Sequence, residues 1–251
     1  MDERGTGEER EIGRIAEMIR EVLEESGAGG LVVGVSGGVD SAVSCALCAR
    51  AVGPARVLGL LLPSAVTREE DREDAHGLCE SLSVPSRTVE IDPVLRAFGT
   101  LPGYRDSPYI RGNLMARIRM SLLYQAANQE HRLVCGTSNR SEYLLGYFTK
   151  YGDSAADLQP ILHLYKREVY LLAAALEIPE RIRNKAPSAG LWAGQSDEGE
   201  IGLSYAEIDA AFEALESHGW SARTPVEEKV LALMRRTEHK RLPVPSPVRE
   251  G

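Results

Sequence analysis

The chain has 251 residues, an ordinary mix of apolar and charged side chains and a formal net charge of -8. That length can bury a good core as one domain, or as one domain with an appendage. The acidic balance, without any long basic block, argues against a general nucleic-acid binder. The polar start and the lack of an apolar run long enough to span a bilayer exclude a signal-peptide core and a membrane partner, so a cytoplasmic protein is expected.

Residues 8–25 place Ile12, Ile15, Ala16, Ile19, Val22 and Leu23 at helical spacing and stop before Gly27, Gly29 and Gly30, which predicts an amphipathic helix. The stretch that follows, Leu31-Val32-Val33-Gly34-Val35-Ser36-Gly37-Gly38-Val39-Asp40-Ser41, organises the rest. A Val-rich run short enough for a buried strand ends at two glycines, and residues 42–49 resume as a helix. Glycines let backbone N–H groups approach an anion, and a helix start adds unpaired donors and the positive end of the dipole. The loop therefore suits phosphate. No Gly-Lys-Ser/Thr follows as in a P-loop, and the glycine spacing is not that of the dinucleotide fingerprint. A carboxylate beside phosphates repels them unless a cation lies between, so Asp40 reads as a magnesium ligand. The Ser-Gly-Gly-Val-Asp-Ser run resembles the pyrophosphate-binding loop of the N-type ATP pyrophosphatases, which split ATP between its α and β phosphates.

Further strands are expected at 57–62 and at 86–91, the latter closed by Asp92-Pro93, with a charged helix over 68–82 between them. Residues 100–108 read as an irregular surface loop, 113–129 as a helix with Arg117 and Arg119, and 133–137 as a strand ending at Gly136 and Thr137. Glu142 stands near a further helix start, where it can face the same crevice as Asp40; a dipole-favoured glutamate is the plainer reading of that position. Residues 143–160 are rich in aromatic and charged side chains and too irregular for a plain element, the signature of a binding loop. Helices are expected at 166–176, 205–216 and 225–236, with a glycine-rich acidic run at 184–202 and a proline-rich tail beyond His239-Lys240-Arg241. Alternating strands and helices imply an α/β fold, a doubly wound parallel sheet with helices on both faces and extra helices at the C-terminal end. The expected layout is one domain over 1–251: an N-terminal helix to 30, the α/β core over 31–176, and C-terminal loops and helices over 177–251. The four cysteines, Cys45, Cys48, Cys79 and Cys135, fall in apolar periodic segments and read as core, although Cys45 and Cys48 form a C-x-x-C beside the loop.

Taken together, the motifs resemble the NAD synthetase family in its single-domain, ammonia-using form. The resemblance rests on the Ser36 loop, Gly112-Asn113, Ala116-Arg117-Ile118-Arg119-Met120, Gly136-Thr137 and Thr149-Lys150-Tyr151-Gly152-Asp153. It continues through Lys185-Ala186-Pro187-Ser188, Gln195-Ser196-Asp197-Glu198 and His239-Lys240-Arg241. The loop alone is shared with GMP synthetase; the later blocks discriminate. The resemblance implies the adenine nucleotide alpha hydrolase-like fold and the ATP-dependent amidation of deamido-NAD to NAD through an acyl adenylate, with AMP and pyrophosphate released. It implies that Gly34, Val35, Ser36, Gly37, Gly38, Val39, Asp40, Ser41, Thr137, Lys166 and Ser188 hold ATP, and that Asp40 and Glu142 hold magnesium. Deamido-NAD falls to Arg117, Lys150, Asp157, His239 and Lys240. Asp40, Lys166 and Asp153 are the catalytic candidates, with Asp197 second in rank. A homodimer is implied, and ammonia comes either free or from a separate glutaminase. Departures from the pattern are Val39 for Gln, Ser188 for Thr, and Ser138-Asn139-Arg140 where others carry Asp-His. An amidating or thiolating enzyme for XMP or tRNA, and a nucleotide sensor, are the competing readings.

Overall fold

The computed structural model of the protein describes residues 6–192 and 194–247. The first five residues of the polar start and the last four of the proline-rich tail lie outside the described residues, as does Ala193. Thr6 caps α1 (Gly7–Ser26) by accepting from the Glu9 N–H, and Gly27 ends it in the left-handed conformation at φ 68°. Then follow β1 (Gly30–Gly34), α2 (Val39–Val52), β2 (Val57–Leu61), α3 (Glu69–Ser81), β3 (Ser86–Thr88), α4 (Asp92–Gly99), α5 (Pro108–Glu130), β4 (Arg132–Cys135) and α6 (Arg140–Leu145). The chain finishes with α7 (Lys166–Ala175), α8 (Glu180–Arg183), α9 (Asp197–Ile201), α10 (Tyr205–Ser217) and α11 (Pro225–Arg236).

All the strand pairings are parallel, in the order β3-β2-β1-β4. Side chains alternate across a strand, so each buried strand feeds two cores. Leu31, Val33, Val57, Leu61 and Cys135 join Ile12, Ile19, Leu47, Val169 and Leu172 on the face covered by α1, α2 and α7. Val32, Leu58, Leu60 and Val134 meet Met115, Ile118 and Ala126 of α5 on the other. A third cluster, Leu145, Tyr205, Ile208, Phe212, Leu215 and Val230, joins α6, α10 and α11. The doubly wound α/β expectation and its extra C-terminal helices are met.

Several boundaries differ from expectation for physical reasons. The strand expected at 86–91 stops at Thr88. Val89 and Ile91 still donate to the carbonyls of Leu61 and Pro63, but Pro63 has no N–H to return. Asp92-Pro93 does not close that stretch; it opens α4, where proline fits the first turn. α2 begins at Val39, which puts Asp40 and Ser41 in its first turn, and α5 begins at Pro108 behind a Ser107 cap. The run at 184–202 contains the short helix α9.

The cysteines are free and buried. Cys45 and Cys48 do not pair with each other: the Cys48 thiol donates to the Cys135 sulfur at 3.4 Å. That bond and burial push the Cys48 thiol well above its ordinary range, which suits core packing and not sulfur chemistry.

The chain runs from β1 outward to β3 and returns to place β4 on the opposite side of β1, so the strand order reverses between β1 and β4. Ligands of such sheets lie at the carboxyl ends of the strands at that reversal. Beyond β4, Leu158 bridges Cys135, and the Asp157 N–H donates to the Val134 carbonyl at 2.9 Å.

Candidate active site

At the carboxyl end of β1 the chain bends through Ser36-Gly37-Gly38 into α2. The Ser41 hydroxyl donates to the Gly38 carbonyl at 2.9 Å and accepts from the Ser36 N–H at 3.2 Å, and the Gly38 N–H donates to Ser36 Oγ at 3.3 Å. No side chain caps α2, so its first turn offers backbone donors to an anion. Gly37 is at φ 82°, and a Cβ there would stand 2.3 Å from the Asp71 carbonyl oxygen. Glycine is therefore required twice over, by conformation and by the close approach of α3. Gly37→Ala is expected to cost about 1–3 kcal/mol from backbone strain alone, with the clash added, and to weaken any binding of a phosphate-bearing nucleotide at the bend. Thermal denaturation and equilibrium dialysis read both, and a wild-type midpoint with wild-type affinity would contradict this geometry. β4 pairs with β1 at Val33 and Cys135, so Gly136 and Thr137 leave the sheet beside Gly34 and Val35.

Behind the bend lies a charge cluster built of one buried lysine and two partly buried carboxylates. Lys166, the first residue of α7 and 2% exposed, donates from Nζ to Asp40 Oδ2 at 2.5 Å and to Glu142 Oε1 at 3.3 Å. Asn139 links the same two residues, one through its carboxylate and the other through its backbone: its Nδ2 donates to Asp40 Oδ1 at 2.9 Å, and its Oδ1 accepts from the Glu142 N–H at 3.0 Å, capping α6. Tyr205 donates from its hydroxyl toward Asp197 Oδ2 at 3.2 Å and Glu142 Oε1 at 3.4 Å, and its ring lies 5.0 Å from Lys166 Nζ. Burial, against the pull of Lys166, pushes the Glu142 carboxyl up to about 8, with Asp40 and Asp197 adding to the push. Burial works to lower the Lys166 ammonium, but Asp40 and then Glu142 outweigh it and hold the group above its ordinary range. The lysine thus stays charged at neutral pH.

Two carboxylates converging on one ammonium, with hard oxygen donors, fit a magnesium ion that takes its remaining ligands from phosphates and water. Among the described residues no cluster of three or more His, Cys, Asp or Glu side chains forms a complete protein cage. The donor set therefore suits an ion arriving with a nucleotide.

A second cationic group forms where the segment after α11 folds back. Lys150 Nζ donates to the His239 carbonyl at 2.7 Å, and Arg117 Nη2 donates to the Lys150 carbonyl at 3.2 Å. Lys240 Nζ donates to the carbonyls of Gly146 and Phe148 at 2.8 and 2.6 Å. Asp153 accepts from the Thr149 N–H and so shapes the same loop. The structure thus gathers Arg117, Lys150, His239 and Lys240. Asp157 has other partners: it accepts from the Val134 N–H at 2.7 Å and the Tyr124 hydroxyl at 3.3 Å, against β4. The Ser188 hydroxyl donates to the Gln195 carbonyl within its own loop. That loop is tied to the bend by Lys185, whose three donors go to Asp71 Oδ1, Asp74 Oδ2 and the Gly37 carbonyl at 2.7, 2.5 and 3.3 Å.

Asn139, Tyr205 and Lys185 belong to the site without having been singled out as site residues from the sequence. Asn139 carried a readable signal, since an Asn three residues before a Glu is a helix-start pattern. Tyr205 and Lys185 reach the site only through tertiary packing.

Comparison with known proteins gives consistent relatives. The sequence profile described as NAD synthase matches residues 11–244. The NH(3)-dependent NAD(+) synthetase of Methanoregula boonei is 60% identical over 235 residues, spanning 94% of this chain and 95% of that one. A solved structure described as NMN synthetase from Francisella tularensis superposes with a TM-score of 0.89 at 36% identity, covering 97% of this chain and 99% of that one. The NH3-dependent NAD synthetase from Campylobacter jejuni, in complex with a nitrate ion, superposes at 0.84 with 32% identity, covering 98% of this chain and 100% of that one.

Proposed function

The chain belongs to the NAD synthase family, and we propose that it is the ammonia-dependent enzyme, amidating deamido-NAD to NAD at the expense of ATP. The observation that carries the assignment of the chemistry to residues is the convergence of Asp40 and Glu142 on Lys166 behind the uncapped start of α2. In this reading Gly34 to Ser41 and Thr137 hold the phosphates and nucleoside of ATP, with Lys166 supplying a fixed positive charge to the reacting phosphate. Ser188 closes the site from its loop. Asp40 and Glu142 would hold magnesium, which would supply charge neutralisation to the phosphates. Arg117, Lys150, Asp157, His239 and Lys240 serve the deamido-NAD side, and Asp153 shapes that loop.

A nicotinate carboxylate oxygen attacks the α-phosphorus, the bond to pyrophosphate breaks, and an acyl adenylate forms. Ammonia then adds to the acyl carbon, AMP leaves with the bonding pair of the C–O bond, and the nitrogen gives up one proton to solvent. Neither step needs a protein nucleophile, which agrees with buried thiols and with a site built of charges and backbone donors.

The whole chain acts as one domain, with residues 1–30 and 177–251 flanking the core. Among the described residues no helix is long and apolar enough to cross a membrane, and the cytoplasm is the compartment we assign. A second copy of the chain covers the exposed apolar surface of Phe98, Leu101, Tyr109 and Ile110, of which Tyr109 is 73% exposed; sedimentation showing a fully active monomer would remove the homodimer. Free ammonia is the nitrogen source, with a separate glutaminase as the route by which glutamine nitrogen reaches the site.

The test is a single assay with purified protein, ATP and magnesium. Deamido-NAD and ammonium are expected to give NAD, AMP and pyrophosphate in equal amounts, and glutamine alone none. The likeness to the Francisella protein favours one further arm, nicotinate mononucleotide in place of deamido-NAD. Faster turnover of the mononucleotide would make that the substrate; folded protein that turns over neither compound would refute the assignment.

A further inference from the structure

The first turn of α7 delivers Lys166, yet the residue before it, Tyr165, makes no side-chain cap hydrogen bond. The missing acceptors come from two distant elements. The Lys166 N–H donates to Ser141 Oγ at 2.9 Å, and the Arg167 N–H donates to Asp209 Oδ2 at 3.0 Å. The Ser141 hydroxyl in turn donates to Asp209 Oδ1 at 2.5 Å. Ser141 is 0% and Asp209 1% exposed, so water cannot replace either acceptor.

The bonds join the parts that have to be in register. Ser141 directly precedes Glu142 on α6, Lys166 opens α7, and Asp209 lies one turn along α10 from Tyr205, whose hydroxyl reaches Glu142. We infer that Asp209, acting through Ser141, is a positioning residue that caps α7 from α10 and so fixes Lys166 against Asp40 and Glu142. The reason lies in geometry. A lysine side chain has many rotamers, and holding its backbone at the helix start narrows those by which the ammonium can meet Asp40 and Glu142. If that start frays, the ammonium moves relative to the phosphate it serves. Charge on Asp209 is not the requirement. An asparagine can present its oxygen to the Arg167 N–H and its amide to Ser141 Oγ, which still accepts from the Lys166 N–H.

This inference rests on the reading that Lys166 acts on ATP, so the experiment separates the two. Turnover is measured as radiolabelled AMP over hours for wild type, D209A, D209N and S141A. The same is done for Lys166→Gln and for Lys166→Gln combined with D209A. A displacement near 1 Å costs about 100-fold in rate. D209A and S141A are therefore expected to lower kcat by about 10- to 100-fold, with D209N within about threefold of wild type. In the Lys166→Gln background, D209A is expected to change the residual rate less than twofold, because its effect passes through the lysine. Hydrogen exchange should report faster loss of protection at the Lys166 and Arg167 amides in S141A and D209A. If D209A does not fold, S141A and D209N carry the comparison. The inference is overturned by S141A with wild-type kcat and protection, by D209N as impaired as D209A or S141A, or by equal D209A losses in both backgrounds. Wild-type protein without turnover would instead sink the functional reading.

Discussion

Replacing Lys166 with methionine is expected to lower the rate of NAD formation by about 100- to 1000-fold, the range seen when one preorganised charge-stabilising donor is removed from an active site. The attack on phosphorus builds charge on the transferring group and on the departing pyrophosphate, and Lys166 is the ammonium that stands against both Asp40 and Glu142. The same change leaves those two carboxylates facing each other without their cation. Breaking a buried pair in this way costs about 3–5 kcal/mol. The variant should therefore melt several degrees lower yet remain folded at 25 °C. Steady-state assays alongside thermal denaturation check both statements. A variant with lowered stability but wild-type turnover would show that Lys166 is only a counter-ion.

Asp40→Asn should separate chemistry from binding. Asp40 accepts from Lys166 Nζ on one oxygen and from Asn139 Nδ2 on the other. An asparagine can satisfy only one of these donors, and it removes the charge by which Asp40 is proposed to hold magnesium. Turnover should fall by at least about 100-fold. The bend itself is held by Ser36, Gly38 and Ser41, none of which depends on that carboxylate, so ATP should still bind within about tenfold of wild type. Calorimetry with ATP and the product assay give the two numbers. Loss of binding with the turnover would mean that Asp40 shapes the loop, and a protein inactive both before and after the change would be a nucleotide sensor.

Much of this arrangement is legible in the sequence because the signals are local. The Val-rich run, the paired glycines and the helix that follows occupy adjacent positions and yield β1, the bend and α2. Alternating strand and helix patterns yield the doubly wound sheet. Asp92-Pro93 misleads because proline serves equally well to end one element or to open the next. The shortened β3 depends on Pro63, just beyond the end of β2, which no local window contains. Tyr205 and Asp209 are harder still. Each sits on the apolar face of α10 with Ile208 and Phe212, and only packing against α6 and α7 shows that their polar atoms have partners. A charged side chain on an otherwise buried stripe is the one available hint, since carboxylates are rarely buried without a fixed donor.

The two margins of the sheet carry a consequence for how the protein behaves in a crowded solution. Along β4, Asp157 and Leu158 already occupy the hydrogen-bonding positions next to Val134 and Cys135. At the other margin β3 is only three residues long, and its Arg87 is tied to Glu130. Neither side offers a ladder long enough for a strand from another molecule to extend. The native chain is thereby guarded against growing into fibres through its sheet, even where concentration would favour it.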